Sequence, residues 1–261
     1  MRRGEKRRIP DADRPRRAFM PHPRPASAAE RLIVALDLPT IDAARAMAER
    51  LSGLVSFFKL GLGLLYARGA EALIDELLAQ GRLFIDAKLF DIPATVERAP
   101  ARIAERGAHI VTVQGEVPLI EAAVRGRGGY PLKIFALTVL TSMDDATLAA
   151  AGYRLGAAEL IRLRAQSAVA AGCDGLIASA ADDPNALRVS LGRPDLLIAT
   201  PGIRPAGAGR DDHRRAASPA EAIARGADYL VVGRPILEAA DPRAAAAQIL
   251  AEMEEALARR G

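Results

Sequence analysis

Residues 82–113 read RLFIDAKLFDIPATVERAPARIAERGAHIVTV. The run 82–87 is short and apolar, the length of a strand rather than a helix. An amphipathic stretch follows over 93–106, and 109–113 is a second apolar run. Strand, helix, strand in about 30 residues is the unit that joins parallel strands by a crossover.

The same alternation extends in both directions. Runs 31–36, 55–60, 82–87 and 109–113 read as strands one to four, and 132–138, 174–178, 195–200 and 228–232 as strands five to eight. Between and after them lie amphipathic stretches at 40–52, 67–80, 93–106, 117–125, 157–171, 182–190, 218–225 and 241–259. Eight units favour closure, so the predicted fold is α/β, a single (β/α)₈ TIM barrel. Pro39-Thr40, Ser218-Pro219 and Asp241-Pro242 each place proline beside a helix start. Two connections, 139–156 and 201–217, are long enough to act as lids, and both leave the C-terminal strand ends.

Length agrees. The chain has 261 residues, half of them hydrophobic, and a barrel of this type uses roughly 250 as one domain. With 4% aromatics and no Trp, the core is expected to consist of Ala, Leu, Ile and Val. The barrel is assigned to 30–261. Residues 1–29 hold nine Lys/Arg against three acids, a net of +6, so the rest carries −2 of the chain's +4. That Pro- and Arg-rich arm has no apolar periodicity and is expected to be disordered. It lacks the apolar segment of a secretory signal, and Met20 leaves a downstream start open. Such an arm can attract nucleic acid, but a solvated tail is the commoner case. Cys173 alone excludes a disulfide framework and a multi-cysteine zinc site. No apolar run is long enough to cross a bilayer, so a cytoplasmic protein is expected, with no membrane partner.

Charge interrupts the strands at one end. Asp37 closes strand one, Lys59 strand two, and Asp86 and Lys88 strand three. Alternation puts Asp86 and Lys88 on one side, so all four side chains are expected to meet at the barrel's mouth. A structural ion-pair network is the plain alternative. Four charges at adjacent strand ends carry a heavy desolvation cost, which favours function. A lysine between carboxylates keeps its proton and is a poor Schiff-base nucleophile, but a good donor to a basic carbon. Asp91 and Thr95 follow in the loop. After strand seven comes Thr200-Pro201-Gly202-Ile203-Arg204, and after strand eight Val232-Gly233-Arg234-Pro235. Glycine lets backbone N–H groups approach an anion, and Arg204 and Arg234 can fork onto phosphate. A dinucleotide fold fits poorly, because Gly61-Leu62-Gly63 has Tyr66 where a third glycine belongs.

The stretch Asp86-Ala87-Lys88-Leu89-Phe90-Asp91-Ile92-Pro93-Ala94-Thr95 resembles the D-x-K-x-x-D-I-P-x-T motif of the orotidine 5′-monophosphate decarboxylase family. Ala35-Leu36-Asp37, Phe58-Lys59-Leu60-Gly61, Leu140-Thr141-Ser142 and the two Gly-Arg turns are similar to that family's other segments, over about residues 31–259. The resemblance implies a cofactor-free carboxy-lyase without a metal, converting orotidine 5′-monophosphate (OMP) to UMP in pyrimidine synthesis. It implies that Asp37 and Lys59 hold the ribose and that Lys59, Asp86, Lys88 and Asp91 form the charge network. Lys88 would protonate C6. Thr141 and Ser142 would sit near the pyrimidine. Arg204, Gly233 and Arg234 would hold phosphate under a lid, 203–217, that carries His213. It also implies a homodimer in which Asp91 and Thr95 reach the partner's site. Phe90, Gln114 and His213 depart from the family's usual His, His and Gln. The rival readings are a Mg²⁺-dependent sugar-phosphate decarboxylase or aldolase, which would carry an acid where Lys59 stands, and a non-enzymatic phosphate- or nucleic-acid-binding barrel.

Overall fold

The computed structural model describes residues 23–205 and 216–259. In chain order the elements are α1 (Ala28–Arg31), β1 (Leu32–Ala35), α2 (Ile41–Arg50), β2 (Phe57–Gly61), α3 (Leu62–Leu65), α4 (Ala70–Gln80) and β3 (Arg82–Leu89). Then come α5 (Pro93–Glu105), β4 (Ile110–Gln114), α6 (Val117–Arg127), β5 (Lys133–Leu137), α7 (Asp145–Ala150), α8 (Ala157–Ala170) and β6 (Gly175–Ile177). The chain ends through α9 (Pro184–Leu191), β7 (Leu197–Thr200), α10 (Pro219–Ala224), β8 (Tyr229–Val232), α11 (Arg234–Leu237) and α12 (Pro242–Ala258). All eight strands are parallel, and β8 pairs with β1 to close the barrel. The predicted (β/α)₈ architecture is therefore what the chain forms.

Local chemistry explains the helix starts. Thr40 Oγ1 accepts from Ala43 N–H at 3.2 Å to cap α2. Ser218 and Glu221 form a reciprocal capping box on α10, with Pro219 at its first position. Asp241 accepts from the N–H groups of Arg243 and Ala244 to cap α12. The connection 139–156 is not a bare loop, because α7 lies within it, capped by Asp144.

The core has two layers. The outer strand faces pack Leu, Ile, Val and Ala against the helices. The lumen is filled by Ile33, Ala35, Phe57, Phe84, Ile110, Phe135, Leu197, Ala199, Tyr229 and Val231. The expectation of a core of Ala, Leu, Ile and Val therefore holds for most of the outer layer, where Phe58 is an exception, and fails inside the barrel. Few aromatics are present, but Phe57, Phe84, Phe135 and Tyr229 are spent where a single large ring closes the central space. Phe57 and Phe135 each meet Tyr229, at centroid distances of 5.9 and 6.2 Å. A Cβ at Gly175 would lie 2.5 Å from the Phe135 ring and 2.7 Å from the Leu197 carbonyl, so only glycine leaves room.

The N-terminal strand ends are tied by buried ion pairs, Arg127–Asp174 and Arg188–Asp228. Asp174 also accepts from Ile134 N–H and Asp228 from Ile198 N–H, so both carboxylates stitch neighbouring strands. Arg24 pairs with Asp228 across this face. Ser27 caps α1, so the expected boundary at residue 30 falls inside an ordered helical turn. Residues 1–22, which hold most of the basic arm, lie outside the described residues.

Candidate active site

Three adjacent strands deliver four charges to the C-terminal mouth. Lys59 Nζ donates to Asp37 Oδ1 at 3.1 Å and lies 3.2 Å from Asp86 Oδ2. Lys88 Nζ is 2.9 Å from the same Asp86 oxygen. The order Asp37–Lys59–Asp86–Lys88 thus alternates in sign. Lys59 and Asp86 are buried, at 6% and 9% exposure, whereas Asp37 is open to the cavity. A Cβ at Gly61 would lie 2.9 Å from Asp37 Oδ1 and 3.4 Å from Lys59 Nζ, so the glycine at the end of β2 leaves space for that pair.

Burial alone would raise the Asp86 pKa. The charges of Lys59 and Lys88 and the hydrogen bonds from Lys88 and Thr112 overcome it and hold the carboxyl below its ordinary value. Asp86 is therefore the fixed anion of the cluster.

Lys88 is reached by a route that strict strand alternation does not contain. Phe84 and Ile85 pair with Ile110 and Val111, but Leu89 pairs with Val113, so β3 bulges between Ile85 and Leu89. Lys88 has φ 45°, a left-handed backbone rare for a residue with a side chain. Its amine still reaches back to Asp86.

These groups line a cavity of about 680 Å³. Its apolar wall includes Leu137, Val139, Ile177 and Val231, and Thr141 lies on its edge. Gly202, Arg204, Gly233 and Arg234 line it too, so the two predicted Gly-Arg turns and the charged strand ends share one space. Gly202 has φ 77° and turns the chain after β7. The Ile203–Ala217 bridge and the Arg204 N–H to Ala217 carbonyl bond, at 2.9 Å, close the base of the second long connection.

Some expected residues stand apart. Ser142 is exposed and does not line the cavity, because the turn that puts Thr141 on the edge turns its neighbour outward. Asp91 and Thr95 are also exposed and outside the cavity. The Asp91 carboxylate accepts from Ile92 N–H at 2.6 Å, and Phe90 and Ile92 beside it are 70% and 66% exposed. His213 lies outside the described residues.

Two residues were not singled out by sequence. Thr112 sits under Asp86 and Lys88, and its signal was faint: one polar residue inside the apolar run of β4. Arg164, on α8, donates to the Thr138 carbonyl at 2.7 Å and to Glu116 at 2.8 Å, bracing the start of the connection that carries Thr141. No local pattern marks it.

This layout is the one a (β/α)₈ barrel uses to hold a small charged molecule above its strand ends. A family model described as orotidine 5′-phosphate decarboxylase / HUMPS matches residues 30–249. The chain belongs to that family. It is 50% identical over 228 residues to the orotidine 5′-phosphate decarboxylase of Rhodopseudomonas palustris (strain BisB5), covering 87% of this chain and 96% of that protein. It is 47% identical over 226 residues to that of Caulobacter vibrioides (strain NA1000 / CB15N), covering 85% and 97%. The crystal structure of orotidine 5′-phosphate decarboxylase from Lactobacillus acidophilus superposes with a TM-score of 0.74 at 33% identity, covering 85% of this chain and 98% of that one.

Proposed function

We propose that the chain decarboxylates orotidine 5′-phosphate to UMP, with Lys88 as the proton donor. The supporting observation is the alternating Asp37–Lys59–Asp86–Lys88 array facing two Gly-Arg turns across one cavity. The C6–carboxylate bond breaks, CO₂ leaves, and the electron pair stays on C6. The Lys88 ammonium lies where that charge appears and transfers its proton to C6. The resulting amine is reprotonated from water. The array is in place before reaction, so little reorganisation is needed as charge moves.

Arg204, Arg234 and the backbone at Gly233 hold the phosphate, far from the reacting carbon, and that remote grip supplies binding energy for the step at C6. Asp37 and Lys59 hold the ribose, and Thr141 borders the pyrimidine. No cofactor is required by this scheme. Lys59 at the end of β2 argues against the Mg²⁺-dependent rival, because an ammonium there opposes a cation. A spectrophotometric assay on orotidine 5′-phosphate with and without EDTA separates the two. Equal rates support the proposal, and loss of turnover with chelator overturns it.

The active form is a homodimer in which Asp91 and Thr95 complete the partner's site. Their exposure beside Phe90 and Ile92 supports this reading. Among the described residues no helix is long and apolar enough to cross a membrane, and the proposed place of action is the cytoplasm. Mixing Asp91→Ala with Lys88→Ala chains should restore part of the activity in verified heterodimers. Verified heterodimers without activity would rule out a shared site.

A further inference from the structure

The bulge of β3 places two demands on one neighbour. From Ile85 to Leu89 β3 advances four positions, while β4 advances two, from Val111 to Val113. The N–H of Lys88 therefore cannot join the regular ladder. Thr112 stands opposite, on the lumen side of β4, fully buried. Its Oγ1 accepts from Lys88 N–H at 2.9 Å and donates to Asp86 Oδ1 at 2.9 Å. A hydroxyl has one hydrogen and two lone pairs, so it can serve both partners at once.

The consequence reaches both charged side chains. With Oδ1 held by Thr112, Asp86 presents Oδ2 to Lys59 at 3.2 Å and to Lys88 at 2.9 Å. Thr112 Oγ1 also accepts from the peptide N–H of Lys88, whose backbone sits at φ 45°. That conformation is strained and persists only where its surroundings impose it.

We infer that Thr112 is a positioning residue for the decarboxylation, its single hydroxyl fixing both the rotation of the Asp86 carboxylate and the left-handed turn from which Lys88 reaches the cavity. This rests on the reading of Lys88 as the proton donor. Valine has nearly the same shape and neither hydrogen bond. Thr112→Val leaves the phosphate and ribose contacts untouched, because Thr112 does not line the cavity. It frees the amine from its set position.

The test compares wild type, Thr112→Val, Thr112→Ser and Lys88→Ala for kcat, KM, UMP affinity and melting temperature. Thr112→Val should lower kcat about a hundredfold, as misplacement of a reacting group does, with UMP affinity unchanged. Thr112→Ser, which keeps the hydroxyl, should retain kcat. Wild-type kcat in Thr112→Val, a parallel fall in UMP affinity, or equal damage in Thr112→Ser would overturn the inference. If Thr112→Val does not fold, Thr112→Ala takes its place. Failure of both to fold would assign the hydroxyl to stability and end the inference. An inactive Lys88→Ala beside a fully active Thr112→Val would reject the role of Thr112 alone. A fully active Lys88→Ala would reject the reading beneath it.

Discussion

Replacing Asp86 by Asn removes one charge and little volume, and its cost follows from the geometry. Lys59 and Lys88 each lie close to one Asp86 oxygen, so their ammonium groups are within about 6 Å of each other. With Asp86 ionised, each amine faces an anion at hydrogen-bond distance. Without it, two like charges at that spacing repel by about 3 kcal/mol at an effective dielectric of about 20. Removing one member of a buried pair costs about 3–5 kcal/mol. Lys88 keeps 31% of its side-chain surface in water, so screening favours the lower end. In a chain of this size the loss lowers Tm by roughly 10 °C. Thermal melting and urea denaturation of both proteins at pH 7 measure it directly. The pH dependence has a definite sign. The native Asp86 pKa lies below its ordinary 3.8, so its contribution is present above that value and fades as pH falls through the native pKa. The gap between the two proteins should stay constant from pH 8 to pH 5 and narrow only below pH 3.8. An Asp86→Asn protein melting at or above wild type would refute this reasoning, since the carboxylate would then be a net burden on the fold.

Gly175→Ala should cost about 1–3 kcal/mol, because the added methyl meets the Phe135 ring and the Leu197 carbonyl; melting temperature reads it, and Phe135→Leu in the same chain should recover only part. Arg234→Ala should lower kcat/KM by orders of magnitude, and phosphite dianion should speed turnover of a substrate lacking phosphate; no acceleration by phosphite in wild type would count against remote binding as a source of rate. Cys173 is buried, and burial pushes its thiol up to about 12, so a disulfide reagent at pH 8 should modify it only after denaturation; prompt labelling of the native protein would contradict its placement.

The strands and the main helices were legible because their signals are local. An apolar run and an amphipathic stretch each carry their own period, and Thr40, Ser218 and Asp241 announce helix starts by chemistry within one turn. The convergence of Asp37, Lys59, Asp86 and Lys88 was legible for the same reason: each ends a strand. The bulge was not. It depends on how β3 pairs with β4, and no property of residues 82–89 alone fixes a register. Thr112 was missed with it, since a threonine within an apolar run signals nothing until its neighbours across the sheet are known. The one-turn helices α3 and α11 are too short to carry a period. Ser142 was placed by the resemblance together with Thr141, and it stands exposed outside the cavity because adjacent residues of a turn point different ways. The aromatic lumen escaped notice because composition counts residues without saying where a closed barrel needs its widest ones.

The proposed mechanism requires the amine of Lys88 to stand beside the carbon that loses CO₂. A crystal structure with UMP bound measures that distance directly. The expected result is Lys88 Nζ about 3 Å from C6 of the uracil, with Asp86 still paired to it. An amine directed away from the ring, with another proton donor or an ordered water in its place, would contradict the mechanism.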